Sequence, residues 1–275
     1  MKQLHFCAGL PRTGSTVLMN ILQQNSEIFT TSTDPFPEIL SEQILIKSRF
    51  KESFQAMSCE QADSATHGMA LGATKGWYEG LSDKPIVISK ARQWSNLHHL
   101  FPASKSLVMV RDIRDIVESF DRVNAKIKAL HSVGVNNIIY ASMTETEKYH
   151  YHFGENNALS YNLTHEIPKY IDLFKRDSSR VKFIRYEDLL KDPVYMFSRI
   201  YDFLGLQSFQ HDLNNIEQSS MFEHDNAYFM EKTSHRTKPT LVPWKEPVRV
   251  LSDKFHEKII QENAWFYKSF YPDVA

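Results

Sequence analysis

The sequence "GLPRTGST" (residues 9–16) has the outline of a loop that binds phosphate. Four residues separate Gly9 from Gly14 and two hydroxyl residues follow, as in loops that direct backbone N–H groups at a phosphate where a helix begins. Ser15 stands where such a loop carries its lysine, and Arg12 supplies a permanent cation and a planar set of donors instead. The residues therefore predict an anion site that differs from a kinase site for a magnesium-bound triphosphate. The alternative is an ordinary turn between a strand and a helix.

Further candidate residues come directly after short apolar runs. Lys90 follows "PIVIS", Arg111 follows "SLVMV", and Tyr186 follows "VKFIR"; Ser119 lies eight residues beyond Arg111. In open α/β sheets, ligands bind beyond the carboxyl ends of the strands, so these residues are expected to face one crevice. Each alone is also compatible with a solvated strand end or a helix start. Taken with the loop, they predict a second anion site and a lysine between the two sites.

The residues around these positions predict strands that alternate with helices. Four runs are short, rich in β-branched or aromatic residues and without clean alternation, which is typical of strands covered on both faces. They are residues 4–8, 85–89, 106–110 and 181–185. Helical patterns cover residues 15–25, 36–57, 114–130 and 160–177. Such alternation predicts an α/β fold with a mostly parallel sheet flanked by helices. Residues 207–250, rich in proline and polar residues, are predicted to form a long functional loop.

Length and composition favour one domain that covers residues 1–275. The net charge of −1 gives no field that would attract nucleic acid or an acidic membrane, so an anion site must be built locally. Cys7 and Cys59 make neither a disulfide framework nor a metal cluster, and they fit a reducing compartment. Apolar runs fall short of the ~20 residues that span a bilayer, and the first strand begins too early to leave room for a signal peptide. A soluble, cytoplasmic protein without nucleic-acid or membrane partners is expected.

Three motifs together resemble the sulfotransferases that use 3′-phosphoadenosine 5′-phosphosulfate (PAPS). They are "GLPRTGSTVL", "VRDIRDIVESF" with its spacing of eight from arginine to serine, and "RYEDLLKDP". The loop is most similar to that of the tyrosylprotein-sulfotransferase-like branch, because the cytosolic small-molecule branch usually has a lysine at the position of Arg12. The segment "HRTKPTLVPW" (235–244) resembles the C-terminal cofactor loop of the family. The resemblance implies a P-loop nucleotide-kinase-like fold and sulfuryl transfer that leaves PAP and requires no metal.

The resemblance also implies roles for individual residues. The loop would hold the 5′-phosphosulfate of PAPS, whereas Arg111 and Ser119 would hold the 3′-phosphate. Lys90 would neutralise the charge that grows on the bridging oxygen during transfer. The predicted loop residues are Pro11, Arg12, Thr13, Gly14, Ser15 and Thr16, and the further cofactor residues are Tyr186, Arg236, Thr237 and Lys238.

The general base is where this sequence departs from the family pattern. The tyrosylprotein branch has a glutamate shortly after the first helix, and this chain has "STDPFPE" in that region. Asp34 is the first candidate and Glu38 the second, four residues further on. In the alternative interpretation, Asp34 caps a helix beside a proline and Glu38 is an ordinary first-turn carboxylate. His98 and His99 are predicted to be packing or surface residues.

The sequence does not identify the acceptor, which is a hydroxyl or amine of a small molecule, a sugar or a peptide. The aromatic segments at 75–80 and 148–153 suit stacking on a ring, but such clusters are more often part of a core. Two other functions remain open: a magnesium-dependent nucleotide or small-molecule kinase on the same fold, and a non-catalytic nucleotide-binding protein.

Overall fold

A computed structural model describes most of the chain. The described residues are 2–31, 33–90, 95, 97–129, 140, 142–155, 157–218 and 237–274. Within these ranges, no helix is both long and apolar enough to cross a membrane.

The centre of the fold is a five-stranded sheet in which all neighbouring pairs are parallel. The strands are β1 (Gln3–Gly9), β2 (Ile28–Thr30), β3 (Ile86–Lys90), β4 (Ser106–Val110) and β5 (Val181–Arg185). Their order is β2-β3-β1-β4-β5, so β1 lies in the middle and the chain crosses over between neighbours. The four predicted strands are confirmed. Only β2 was not predicted, because three residues are too few to show a strand pattern.

Helices cover both faces of the sheet. They are α1 (Ser15–Leu22), α2 (Phe36–Arg49), α3 (Lys51–Gln55), α4 (Cys59–Leu81), α5 (Ile113–Ala129), α6 (Glu145–Phe153), α7 (Ala158–Tyr161), α8 (Ile167–Arg176), α9 (Tyr186–Lys191), α10 (Pro193–Leu204), α11 (Asp253–Glu262) and α12 (Ala264–Phe270). A π-helical turn, Asn162–Glu166, joins α7 to α8. The helix predicted over 36–57 divides at Phe50, where φ of −109° and ψ of 41° interrupt the helical backbone.

Strand β4 shows why these strands carry continuous apolar runs. Val108 and Val110 pack on one side with α5 and the C-terminal helices, whereas Leu107 and Met109 pack on the other side with α1 and α10. All four side chains are fully buried. The α/β fold with a parallel sheet flanked by helices is therefore confirmed.

The carboxyl ends of four strands carry the candidate residues to one edge of the sheet. β1 runs into the 9–16 loop, β3 ends at Lys90, and β4 is followed directly by Arg111. β5 is followed by Tyr186, the first residue of α9. The described parts of the 207–250 region, 207–218 and 237–250, contain neither helix nor strand, as the proline-rich sequence predicts.

Candidate functional site

The 9–16 loop makes two close backbone approaches that only glycine permits. Gly9 has φ of 133°, and a Cβ there would lie 2.1 Å from the carbonyl oxygen of Met109 on β4. Gly14 has φ of 77°, and a Cβ there would lie 2.5 Å from Cε2 of Tyr186. Arg12 adopts the left-handed region as well, with φ of 61°, which is uncommon for a residue with a side chain. A strained backbone of this kind is characteristic of loops that hold a ligand.

The loop leaves the start of α1 open to an anion. Gly14 is the N-cap residue and has no side chain with which to cap the helix, while the buried Thr13 hydroxyl donates to the carbonyl of Leu10 at 2.8 Å. No acidic residue stands in the first turn of α1. The first N–H groups of the helix and its positive dipole end therefore remain available to a phosphate or sulfate group.

Arg12 and Arg111 lie side by side at the loop. The Arg111 Nη1 donates to the Arg12 carbonyl oxygen at 2.9 Å, and the Arg12 Nε donates to the Ser119 Oγ at 3.2 Å. The Arg111 guanidinium lies 4.5 Å from the ring centroid of Tyr186, the same ring that packs against Gly14. Burial and the neighbouring Arg111 charge lower the pKa of Arg12. Two adjacent guanidinium groups repel each other, so an anion bound between them would be stabilised.

One donor of this pair has no acceptor within the described part of the chain. The Nε of Arg111 is shielded from solvent and makes no hydrogen bond with any described residue. An unsatisfied donor of this kind costs free energy in the folded protein, and such groups in native structures often mark a ligand site. The pair of arginines thus fits a phosphate group, which would accept this N–H.

Lys90 reaches the same loop from β3. Its Nζ donates to the Thr16 Oγ1 at 2.9 Å, and its backbone N–H donates to the Thr31 Oγ1 at 2.8 Å. The structure therefore brings together Arg12, Thr16 and Lys90, which the sequence placed in one crevice. Thr31, which holds the Lys90 backbone, was not predicted, because it lies 59 residues away in the chain.

Asp34 has contacts that differ from those expected of a general base. Its Oδ1 accepts from the Phe36 backbone N–H at 3.0 Å, and its Oδ2 accepts from Tyr78 at 2.7 Å and Ser89 at 2.5 Å. The residue is only 4% exposed. An acceptor hydroxyl would have to reach a buried carboxylate that already accepts three hydrogen bonds. The contact with Phe36, the first residue of α2, is the capping role that the alternative interpretation predicts for Asp34.

The Asp34 contacts also bear on Lys90, because Ser89 immediately precedes it. Together, the Asp34–Ser89 and Thr31–Lys90 hydrogen bonds attach the segment after β2 to the carboxyl end of β3. Tyr78 extends this attachment to α4. Burial, followed by the Asp34 charge, raises the pKa of Tyr78, so its hydroxyl stays protonated and continues to donate. Sequence reasoning missed this cluster, and the one available signal was the position of Ser89 beside Lys90.

Three other groups that could transfer a proton are Glu38, His98 and His99. Glu38 lies in the first turn of α2 and is half-buried. His98 is buried and bonded at both nitrogens, with the Ser106 Oγ 3.0 Å from its Nε2 and the Arg180 Nη2 3.1 Å from its Nδ1. Burial and the Arg180 charge lower the pKa of His98 to about 4. His99 is exposed. The prediction that these histidines are packing and surface residues is confirmed.

The predicted C-terminal cofactor residues lie partly within the described chain. Thr237 accepts a hydrogen bond from the Asn20 Nδ2 at 2.8 Å, and its backbone N–H donates to the Gln218 Oε1 at 2.6 Å. Asn20 belongs to α1, so the C-terminal segment reaches the helix that starts at the loop. Lys238 is exposed. Arg236 lies outside the described residues.

A buried carboxylate network fixes the residues beside Arg111 and Tyr186. The Asp112 backbone N–H donates to the Glu187 Oε1 at 3.2 Å, and the carboxylate of Asp112 accepts from Tyr267 at 2.9 Å. Burial raises the pKa of Asp112, but hydrogen bonds from Arg114 and its charge more than offset this, and the net shift is downward. These contacts join segments more than 70 residues apart in the chain, so no local pattern predicts them.

The two aromatic segments contribute mainly to packing. In 148–153, Tyr149 is part of the core and donates to Glu262 at 2.6 Å, and His152 is fully buried. In 75–80, Trp77 stacks on Phe36 with ring centroids 5.2 Å apart. The packing interpretation of both segments is therefore confirmed.

The fold is that of an α/β protein, and this edge of the sheet is a candidate site for a phosphate-type anion where β1 meets α1. Comparison with family models gives a match over residues 5–211 to the model described as the sulfotransferase family. The chain belongs to the sulfotransferase family. The narrower prediction of a tyrosylprotein-like branch is not confirmed by this match.

Solved structures share the fold at low sequence identity. Sulfotransferase STF9 from Mycobacterium avium is 14% identical with a TM-score of 0.54, over 98% of this chain and 77% of that one. Mouse sulfotransferase SULT7A1, complexed with PAP, is 15% identical with a TM-score of 0.52, over 98% of this chain and 85% of that one. Comparison with curated protein sequences gives no match.

Proposed function

We propose that this protein transfers a sulfuryl group from PAPS to a hydroxyl or amine of an acceptor and releases PAP. The observation that carries the proposal is the convergence of Arg12, Arg111 and Lys90 on the 9–16 loop, with the Arg111 Nε left without an acceptor among the described residues. Mouse SULT7A1, which has the same fold, is complexed with PAP, and this supports PAP as the nucleotide.

Different residues of the site would bind the two anionic ends of PAPS, the 5′-phosphosulfate and the 3′-phosphate. The backbone N–H groups of Gly14, Ser15 and Thr16 would hold the 5′-phosphosulfate at the start of α1. Arg111 and Ser119 would hold the 3′-phosphate, and the Arg12 Nε, bonded to Ser119 at 3.2 Å, lies between the two ends.

Tyr186 would act indirectly in this binding. Its ring supports both Gly14 and the Arg111 guanidinium, so it fixes the shape of the loop and the position of the cation. Thr237 and Lys238 would close the site from the C-terminal segment, which Asn20 attaches to α1.

In the reaction, the bond between sulfur and the oxygen shared with the 5′-phosphate breaks, and a bond forms between sulfur and the acceptor oxygen or nitrogen. PAPS supplies the sulfuryl group. Lys90 donates to the departing phosphate oxygen, where negative charge increases, and fixed donors of this kind act without rearrangement during the reaction. The acceptor proton passes to a carboxylate of the protein.

For that carboxylate we propose Glu38, the second of the two sequence candidates. Asp34 is only 4% exposed and holds Phe36, Tyr78 and Ser89 by hydrogen bonds, whereas Glu38 is the more exposed of the two, half-buried in the first turn of α2. Asp34 would then act by holding Ser89, and with it Lys90, in position. The acceptor remains a small molecule, a sugar or a peptide. A tyrosylprotein-like acceptor rests on the loop sequence "PRTGST" alone.

A thermal-shift experiment separates this function from that of a kinase on the same fold. PAP should raise the melting temperature in the presence of EDTA, since a ligand at 100 times its dissociation constant adds ~2.7 kcal/mol to stability. Stabilisation by magnesium–ATP together with no response to PAP would contradict the proposal. Transfer of label from PAPS to a panel of phenols, sugars and peptides then distinguishes an enzyme from a non-catalytic binding protein.

A further inference from the structure

A cavity of about 350 Å³ lies at the opposite edge of the sheet from the 9–16 loop. Its walls include Leu4 near the start of β1, Val87 of β3, which pairs with Leu4, and Phe101 of the segment that leads into β4. Leu71 and Tyr78 of α4 add to the apolar part of the lining. Because the loop follows the carboxyl end of β1 and the cavity surrounds its amino end, the two sites are separate.

The side chains that line the cavity are largely apolar, and Lys2 adds a cation without a described partner. Lys2 lines the cavity, and its Nζ is shielded from solvent and has no hydrogen-bond partner among the described residues. The two other charged residues of the lining, Lys75 and Glu79, are exposed and lie within 4.0 Å of each other, so they offset one another. An ammonium group away from water without a partner is costly, and an anion beside it would remove that cost.

The volume is within the range of pockets that bind small molecules, roughly 300–1,000 Å³. The lining is a mostly apolar wall to which Lys2 adds a positive group that no described residue pairs. A ligand complementary to this wall has an unbranched or ring-containing apolar body and one acidic group. A nucleotide does not fit, since it carries several charges and a polar sugar.

We propose that this cavity binds an amphiphilic monocarboxylate, a medium-chain fatty acid in its simplest form, with the carboxylate on Lys2 and the chain against Leu4, Leu71, Val87 and Phe101. The site is distinct from that proposed for PAPS. Its occupant is held by burial of apolar surface and by one charge-assisted hydrogen bond.

Calorimetric titration of the full chain with sodium decanoate, kept below its micelle concentration, tests the proposal. Decanoate should bind with one site per chain, and 1-decanol, which has the same chain and no charge, should bind about tenfold more weakly. Lys2→Met keeps the length of the side chain and removes its charge, so it should weaken decanoate about tenfold and leave decanol unchanged. Leu71→Trp should fill the cavity and abolish binding of both.

A titration of each variant with PAP serves as the folding control, because neither substitution touches the 9–16 loop. If PAP binds and decanoate does not, or if decanoate binds equally to wild type, Lys2→Met and Leu71→Trp, the cavity proposal is wrong and the proposed sulfuryl transfer is unaffected. If Leu71→Trp fails to fold, the comparison of decanoate with decanol on wild type and Lys2→Met still decides the matter.

Discussion

Replacing Asp34 with asparagine distinguishes an anchoring carboxylate from a general base. The substitution preserves the size of the side chain and the Oδ1 that accepts from Phe36. It replaces Oδ2 with an amino group, which donates where Ser89 and Tyr78 also donate, at 2.5 and 2.7 Å in the native protein. At least one of those hydroxyls must then turn away and lose its acceptor.

The expected cost follows from burial. Asp34 is 4% exposed and Tyr78 is 3% exposed, so water cannot replace the lost acceptor without local opening. A buried donor left unsatisfied costs about 1–3 kcal/mol, and we expect Asp34→Asn to lower the free energy of unfolding by about 2 kcal/mol. Tyr78→Phe removes one donor and leaves Asp34 with its other partners, and it should cost about 1 kcal/mol.

Urea denaturation of the two single variants and the double variant measures these effects. Because Asp34 and Tyr78 share a hydrogen bond, the cost of the double variant should fall short of the sum by at least ~0.5 kcal/mol. Asp172→Asn is the matched control. Its carboxylate is 56% exposed in an ion pair with Arg176, so its removal should change stability by no more than ~0.5 kcal/mol.

A different pair of results would show that Asp34 is the general base and not an anchoring carboxylate. If Asp34→Asn unfolds like the wild type while its turnover, measured with an acceptor from the labelled-PAPS screen, falls by ~10²–10⁴, Asp34 is the general base. In that case Glu38→Gln should be nearly fully active. If Asp34 instead anchors the segment, Glu38→Gln should show the large loss in turnover without a loss of stability.

Three further predictions concern the loop, Lys90 and acid stability. Lys90→Ala should lower turnover by ~10²–10³ and change PAP affinity little, because its partner charge grows during transfer; a loss confined to affinity would contradict this. Gly14→Ala should destabilise by at least ~1–2 kcal/mol in chemical denaturation, since φ is 77° and the new Cβ would meet Tyr186. Gly76→Ala in α4 is the control: no described atom lies within 4 Å of the new Cβ, so the change should be neutral or stabilising. Burial lowers the pKa of His98 to about 4, below its unfolded value. Its contribution to stability is therefore present above about pH 6.5 and is lost as the pH falls towards 4. Denaturation should show a loss of about 1 kcal/mol from this residue at pH 5.5, and His98→Gln should reduce the acid sensitivity.

The fold was predictable because its signals are local. Buried parallel strands need apolar residues on both faces, so a continuous apolar run such as "SLVMV" is recognisable as a strand in the sequence. Gly9 and Gly14 mark the positions where only glycine fits. The three cations of the site were predictable for the same reason, since each lies in the loop or directly after a strand. Strand β2 was missed because three residues carry too little pattern.

The arrangement that fixes the site was not predictable from one sequence. The Asp34 contacts with Tyr78 and Ser89 span 44 and 55 residues, and the Asp112 contact with Glu187 spans 75. Nothing local distinguishes a carboxylate that accepts three buried hydrogen bonds from one that faces a substrate. The tertiary contacts of Asp34 therefore reverse the order of preference that its distance from Arg12 along the chain suggests.

The affinity of the protein for PAP relative to AMP, measured by calorimetry in EDTA, tests the central claim most directly. The two nucleotides differ only in the 3′-phosphate, which we propose is held by Arg111 and Ser119. We expect PAP to bind more tightly by roughly 1.5–3 kcal/mol, about 10- to 150-fold, and Arg111→Ala to remove most of that difference. Equal affinities for PAP and AMP, or a PAP preference that Arg111→Ala leaves intact, would contradict the assignment of this site.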